Sequence, residues 1–398
     1  MESMTLDQAF RVAVQHHQAG RLRDAESLYR QILAYQPEHA DALHMMGFLA
    51  FQMGRARLAQ EMIGRAVALN PHSADYHNHL GMALATQGLL DEALSAFGQA
   101  VSLRPGDAEL HFNFGRTLKQ QGKPAEAISA YRAAVALRPG YAEALNNLGN
   151  ALREQRDFDG AANAFRQALA ARPDLPELYF NLASALKEKS DLDGAIAALG
   201  QAIARRPGFA EAHNNLGVIL REKGHLDEAI VACRQATALQ PNAADAHNNL
   251  ATALRERGQL DDAIDEYHRA IALAPQLAEA HYNLAVALTV KKQTGPAIDE
   301  FRRAIELRPD SFDACYGLAT ALVQNWELDA AIDAYRKAID LRPDHAGVWN
   351  ELGTAIRGVG RIDDAIAAYE RAIAIRPDFP GAKWNLGLCL ILKGDFER

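Results

Sequence analysis

Cysteine is scarce in this chain: Cys233, Cys315 and Cys389 are the only three in 398 residues. They lie too far apart for a disulfide framework or a paired metal-ligand motif, and a reducing, cytoplasmic location fits such usage. Positive charge is not in surplus either. Lys and Arg number 42 against 50 Asp and Glu, a formal net charge of −8, which disfavours a general polyanion binder, so no nucleic-acid partner is expected. No apolar run approaches the ~18 residues of a membrane-spanning helix. Nor does Met1 to Phe10 carry a basic segment leading into an apolar stretch, so neither a membrane partner nor a secretory signal is expected. A glycine-rich phosphate loop, a nucleophile elbow, a zincin pair and a catalytic cysteine with partners are all missing. The chain is therefore expected to be no enzyme and to need no cofactor and no metal.

Aromatic residues make up only 7% of a chain that is 49% hydrophobic, a composition suited to alanine-rich helices whose axes approach closely. Length alone would imply two or three globular domains, but self-comparison overturns that. Proline recurs every 34 residues from Pro37 through Pro71 and Pro105 to Pro377. Alanine keeps the same interval from Ala25 to Ala365 and again from Ala66 to Ala372. A leucine beside a small residue returns once per period, as in Leu80-Gly81, Leu148-Gly149 and Leu250-Ala251, and large aromatics return at Tyr29, Phe97, Tyr131, Phe165 and Tyr267. Gly20, Gly54, Gly88, Gly122, Gly224, Gly258, Gly360 and Gly394 mark a turn in the middle of the period.

Leu-Gly, Ala, aromatic, Ala and Pro at these offsets resemble the tetratricopeptide-repeat signature, a 34-residue helix-turn-helix. The resemblance implies an all-α fold, a right-handed α-α superhelical solenoid. Numbering positions from Leu6, Ala40, Ala74 and onward gives eleven repeats over 6–379, with 380–398 as the first helix of a twelfth and the start of its second. The aromatic is expected to fill the gap between successive hairpins, and proline to end each second helix. Leu388-Cys389-Leu390-Ile391-Leu392 is an apolar run that a following segment would cover, so a longer protein, with a catalytic domain or subunit beyond Arg398, is one expectation.

In this family the first helix of each pair lines the inner curve. The resemblance implies that positions two, five, six, nine, twelve and thirteen face the groove. Position six is asparagine at Asn113, Asn147, Asn181, Asn215, Asn249, Asn283 and Asn385. An amide both donates and accepts, so a column of them can grip a peptide backbone whatever its side chains. Rungs about 10 Å apart would meet an extended chain, rising about 3.3 Å per residue, at about every third residue. The alternative is a tolerated polar inner residue. His213-Asn214-Asn215-Leu216-Gly217 and its neighbours also resemble the superhelix preceding the catalytic region of protein O-GlcNAc transferases, and bacterial repeat proteins fused to glycosyltransferases. By that resemblance these asparagines are substrate-gripping rungs, with His79, Gly317 and Glu351 breaking the column.

Position twelve carries Lys119, Arg153, Lys187, Arg221 and Arg255, followed at position thirteen by Glu154, Glu188, Glu222 and Glu256 in the last four. This stripe could attract acidic ligands; the favoured alternative is that cations near the C-terminal ends of these helices, and acids such as Asp41, Asp75 and Glu109 at position two near the N-terminal ends, offset the helix dipoles. Acidic position two also argues against a lysine-based clamp for terminal carboxylates. Histidines at position four, His77, His111, His213, His247 and His281, stand on rungs too far apart to share an ion. Met45, Phe48 and Phe51 face the groove of the second repeat, open to an apolar partner helix, to self-association, or to burial under Met1 to Thr5. The partners expected are thus proteins or peptides.

Overall fold

A computed structural model describes residues 4–394 of the chain. Those residues hold 23 α-helices and no strand. They form two compact units, 1–205 and 206–398, each a helical-repeat solenoid. The expected start of a second helix at Asp395-Phe396-Glu397-Arg398 lies outside the described residues, as does Met1 to Ser3.

Each hairpin follows from a few residues. In the fifth repeat, Ala142–Glu154 and Phe158–Ala171 are the two helices. The turn between them needs a left-handed residue, and the eight mid-period glycines all have positive φ there. Arg156, Ser190, Lys292 and Trp326 take the same conformation without glycine's freedom. First helices gain side-chain caps where position 34 is polar, as at Ser73, Asp107 and Ser311. The 34-residue proline falls two residues after each second helix, past a cap such as Arg172.

The periodic alanines are the closest-packed points, with Ala93, Ala127, Ala161, Ala263 and Ala331 all at 0% exposure. The aromatic at position 24 meets both hairpins: Phe301 lies against Gly317 of the next repeat, and the ring also packs onto the first helix of its own hairpin, where position eight is glycine or alanine. A Cβ on Gly149 would stand 2.7 Å from the Phe165 ring, and one on Gly353 the same distance from Tyr369. The missing methyl is what lets the ring lie on the helix backbone.

Within each unit successive first helices touch one another. Ala74–Thr86, Ala108–Gln120, Ala142–Glu154 and Pro176–Glu188 do so in the first unit, and Ala210–Glu222, Ala244–Glu256, Ala278–Val290 and Phe312–Gln324 in the second. They form the inner layer, on which the polar columns stand.

Candidate functional site: the inner polar columns

The asparagines at position six are tied to the preceding repeat. Asn113 Nδ2 donates to Asn78 Oδ1 at 3.1 Å, Asn181 to Asn146 at 2.9 Å, Asn249 to Asn214 at 3.0 Å, Asn283 to Asn248 at 3.2 Å and Asn385 to Asn350 at 3.0 Å. Every link spans 35 residues, one more than the period, so position six meets position five of the repeat before. Asparagine at position five, which the sequence analysis did not single out, is therefore half of each link. Adjacent pairs such as Asn146-Asn147 and Asn248-Asn249 were the available signal. Asn113 and Asn283 are buried, and Asn147, Asn181, Asn215, Asn249 and Asn385 half-buried. One amide hydrogen is spent in each link, leaving Oδ1 and a second N–H on the rung.

Asn147 and Asn215 differ, because position five of the repeat before is Phe112 and Phe180 respectively, neither with a side-chain oxygen. Beside Asn147 the buried Tyr131 hydroxyl interacts with that amide and has no threonine partner in its own repeat. Later tyrosines at this position have one. Thr252 Oγ1 lies 3.1 Å from the Tyr267 hydroxyl and Thr354 Oγ1 3.2 Å from that of Tyr369, whereas the fourth repeat has Arg116 at the threonine's position. Burial pushes the Tyr131 hydroxyl up to about 12, against the opposing charge of Arg116.

From the third repeat onward three rungs lack asparagine, and they have other occupants. His44 Nε2 and His79 Nδ1 lie 2.7 Å apart, so this histidine pair occupies the place of an asparagine link. His79 stacks on Phe48 at 4.0 Å between centroids. Burial lowers both imidazoles to about 4. The ring of Phe301 closes on Gly317, and Glu351 accepts from Asn350 at 3.2 Å.

The position-twelve cations follow the same offset. Lys119 Nζ reaches Glu154 Oε1 at 2.8 Å, and Arg221 Nη1 reaches Glu256 Oε1 at 2.8 Å. These inter-repeat ion pairs add to the dipole account. Among the acids at position two, Asp75 binds Arg104 at 3.0 Å, which with its hydrogen bond holds the Asp75 carboxyl below its usual range.

The position-four histidines have a structural task. Nε2 donates to the carbonyl of the proline six residues earlier, His77 to Pro71 at 2.9 Å and His247 to Pro241 at 3.0 Å. Trp349 does the same to Pro343 through its indole N–H at 2.9 Å. Among the described residues no group of three or more His, Cys, Asp or Glu is placed to hold a metal ion. All three cysteines are buried, and burial pushes the Cys233 thiol up to about 12.

Met45, Phe48 and Phe51 are each half-buried. Met45 packs toward Tyr29 and Leu49, and Phe51 toward Ala50 and Ile63. Met4 is 42% exposed and Thr5 is engaged in a capping box with Gln8; the remainder of the segment offered as a cover, Met1 to Ser3, lies outside the described residues. Clefts elsewhere, one bordered by Arg57, Gln60 and Gln87 and one by Ile305, Cys315 and Ala334, include no position-six asparagine.

Paired helices in tandem, with polar columns on the inner layer, define a helical-repeat protein of the protein-interaction class. The tetratricopeptide-repeat sequence model matches residues 44–108, 112–176, 180–244, 296–346 and 316–357. Further repeat models match 251–289, 359–394, 232–265 and 278–311. The chain belongs to the tetratricopeptide-repeat family. No curated protein matches it. Similar solved structures include YrrB, described as a TPR protein with an unusual peptide-binding site, at 22% identity over 47% of this chain and 96% of that one, TM-score 0.43. MamA is 30% identical over 41% of this chain and 95% of its own, TM-score 0.40. The APC/C hetero-tetramer Cut9-Hcn1 is 13% identical over 97% and 96%, TM-score 0.46. No helix among the described residues is long and apolar enough to cross a membrane.

Proposed function

We propose that this chain is an interaction scaffold of the cytoplasm, without catalysis of its own, which holds extended peptide segments or partner proteins along the inner layer of each unit. We read residues 6–379 as eleven repeats and 380–398 as the opening of a twelfth. The observation that carries the binding reading is the asparagine column. Each inter-repeat link fixes the plane of an amide and leaves its Oδ1 and one N–H for a guest backbone, and fixed donors lose little freedom on binding. Met45, Phe48 and Phe51 supply an apolar end to the first unit's inner surface, for a partner helix or a second copy.

A second reading follows from the Asn-Asn-Leu-Gly sequences. The chain then serves as the substrate-recognition region of an O-GlcNAc-transferase-like or other glycosyltransferase, whose catalytic part is another segment or subunit.

The test is fluorescence anisotropy with a pooled, labelled decapeptide library. Replacing Asn147, Asn181, Asn215 and Asn249 by alanine weakens binding at least about tenfold, at about 1 kcal/mol per hydrogen bond. Unchanged affinity sinks the column as a peptide grip. Asn181 and Asn249 also carry inter-repeat links, so the expectation that helicity stays intact is safest for Asn147→Ala alone, which serves as the control.

A further inference from the structure

We propose that Arg255 is the open end of the inner ion column and takes a carboxylate from the guest; this rests on the groove reading above and names the chemistry of one of its points. The column has five cations at position twelve, from Lys119 to Arg255, and four glutamates at position thirteen, from Glu154 to Glu256. The pairing rule is an offset of 35, as Lys119 to Glu154 and Arg221 to Glu256 establish. By that rule Arg255 looks to position 290. The residue there is Val290, 58% exposed.

Arg255 consequently shares a partner that is already held. Its Nη2 stands 3.8 Å from Glu256 Oε1, the same oxygen that Arg221 reaches at 2.8 Å. The Arg255 Nε is buried and has no hydrogen-bond partner, while the side chain as a whole keeps 24% of its exposure. Two guanidinium groups thus face one carboxylate, a local surplus of one positive charge. Arg221 Nε is also unpartnered, but its Nη1 is bonded. Arg255 hydrogen-bonds the Tyr267 side chain, but unlike Arg221 it stands beyond hydrogen-bond distance of the carboxylate they share, so it is the guanidinium left to take a carboxylate. A guanidinium largely out of water gains most from a two-oxygen acceptor. Val290 adds an exposed apolar contact beside it, and the Tyr267 and Tyr282 hydroxyls lie within reach of the Arg255 charge. The ligand chemistry is a carboxylate, from an acidic side chain or from a peptide C-terminus.

The full chain tests this with three labelled decapeptides of alanine, serine and leucine. One has a central glutamate and both ends blocked, one has glutamine in its place, and one has glutamine with a free C-terminus. The wild type binds one of the two carboxylate peptides about five- to tenfold tighter than the blocked glutamine peptide. The peptide preferred tells which source of carboxylate is used. Arg255→Gln removes the preference. Val290→Glu removes it too, by supplying the position-thirteen glutamate that Arg255 lacks, and it leaves the fold intact. Separately, titration with sodium acetate shifts the Arg255 Nε–Hε cross-peak in the wild type, and shifts it less in Val290→Glu.

Peptides that bind alike whatever their charge, or a preference that survives Val290→Glu, overturn the proposal and leave the groove reading standing. An acetate-induced shift with no peptide bound at all supports the carboxylate site and sinks the groove reading. Neither peptide binding nor an acetate shift overturns both.

Discussion

Asn248 and Asn283 form one of the two asparagine links buried at both ends, and removing either end has a calculable cost. Asn248 is 4% exposed, Asn283 is 8% exposed, and Nδ2 of Asn283 lies 3.2 Å from Oδ1 of Asn248. Asn283→Ala leaves the Asn248 oxygen without that donor. Asn248→Ala leaves a buried N–H unmet. Each is expected to cost about 1–3 kcal/mol, the desolvation of an orphaned polar group. The double variant removes both ends together, so its cost falls short of the sum of the singles by about 1 kcal/mol. A single global unfolding free energy is the wrong measure, because solenoid stability is a sum of repeat and neighbour terms. Hydrogen exchange followed by mass spectrometry on 244–256 and 278–290 reads the local opening directly, where 1.4 kcal/mol is about a tenfold change in protection. A double variant that equals the sum of the singles within about 0.4 kcal/mol refutes the link as an energetic unit.

Gly149→Val drives a branched side chain into the Phe165 ring, where even a Cβ would stand 2.7 Å away, and is expected to cost about 3 kcal/mol by overpacking; Gly387→Val, with no atom within 4 Å of its Cβ, serves as the thermal-denaturation control and shifts little. Trp326 is 85% exposed and has φ +62°, so Trp326→Gly relieves a left-handed conformation at almost no loss of packing and raises local stability by about 1 kcal/mol, read by exchange in the flanking helices. His44 and His79 are held neutral in the fold, with both imidazoles lowered to about 4, while the unfolded chain protonates near 6.5. Between those values the unfolded state binds more protons, so stability is present above about pH 6.5 and is lost as pH falls toward 4, at about 1.4 kcal/mol per pH unit for each histidine. Circular dichroism melts across that range check it, and His44→Asn with His79→Asn, which installs the link used elsewhere, flattens the slope.

The helices were legible because their signals are local. The alanines at fixed intervals, the mid-period glycines and the prolines after each second helix all act within one hairpin, and 34 residues is a period that simple comparison finds. The aromatic at position 24 was harder to place. One of its partners is the absence of a side chain, the bare backbone of Gly81 or Gly149 in its own hairpin, and the spacing showed its place between hairpins but not this second contact. The threonine serving a tyrosine hydroxyl was available in principle. Position nine is threonine at Thr252, Thr320 and Thr354, each in a repeat whose aromatic is tyrosine, Tyr267, Tyr335 and Tyr369. Tyr131 has Arg116 at that position instead, and its hydroxyl meets Asn147 of the next repeat.

The inner columns were half legible, for a geometric reason. Successive first helices pack so that a residue faces its neighbour 35 positions away, while the sequence repeats every 34. A residue therefore meets the position after its own in the next repeat, and a dipeptide becomes a two-sided connector. In Asn248-Asn249 the first residue accepts from Asn283 and the second donates to Asn214. In Arg221-Glu222 and Arg255-Glu256, Glu256 reaches back to Arg221. Tandem copies of such dipeptides spend part of their hydrogen-bonding capacity on one another, so each linked rung offers a guest only the remainder. The pairing changes where one half of the connector is replaced. Phe112 in place of an asparagine removes the amide-to-amide link of Asn147, whose side chain meets Tyr131 instead, and Val290 in place of a glutamate leaves Arg255 to share Glu256. On this argument the interruptions of the columns, more than their regular stretches, are where the inner surface selects what it holds.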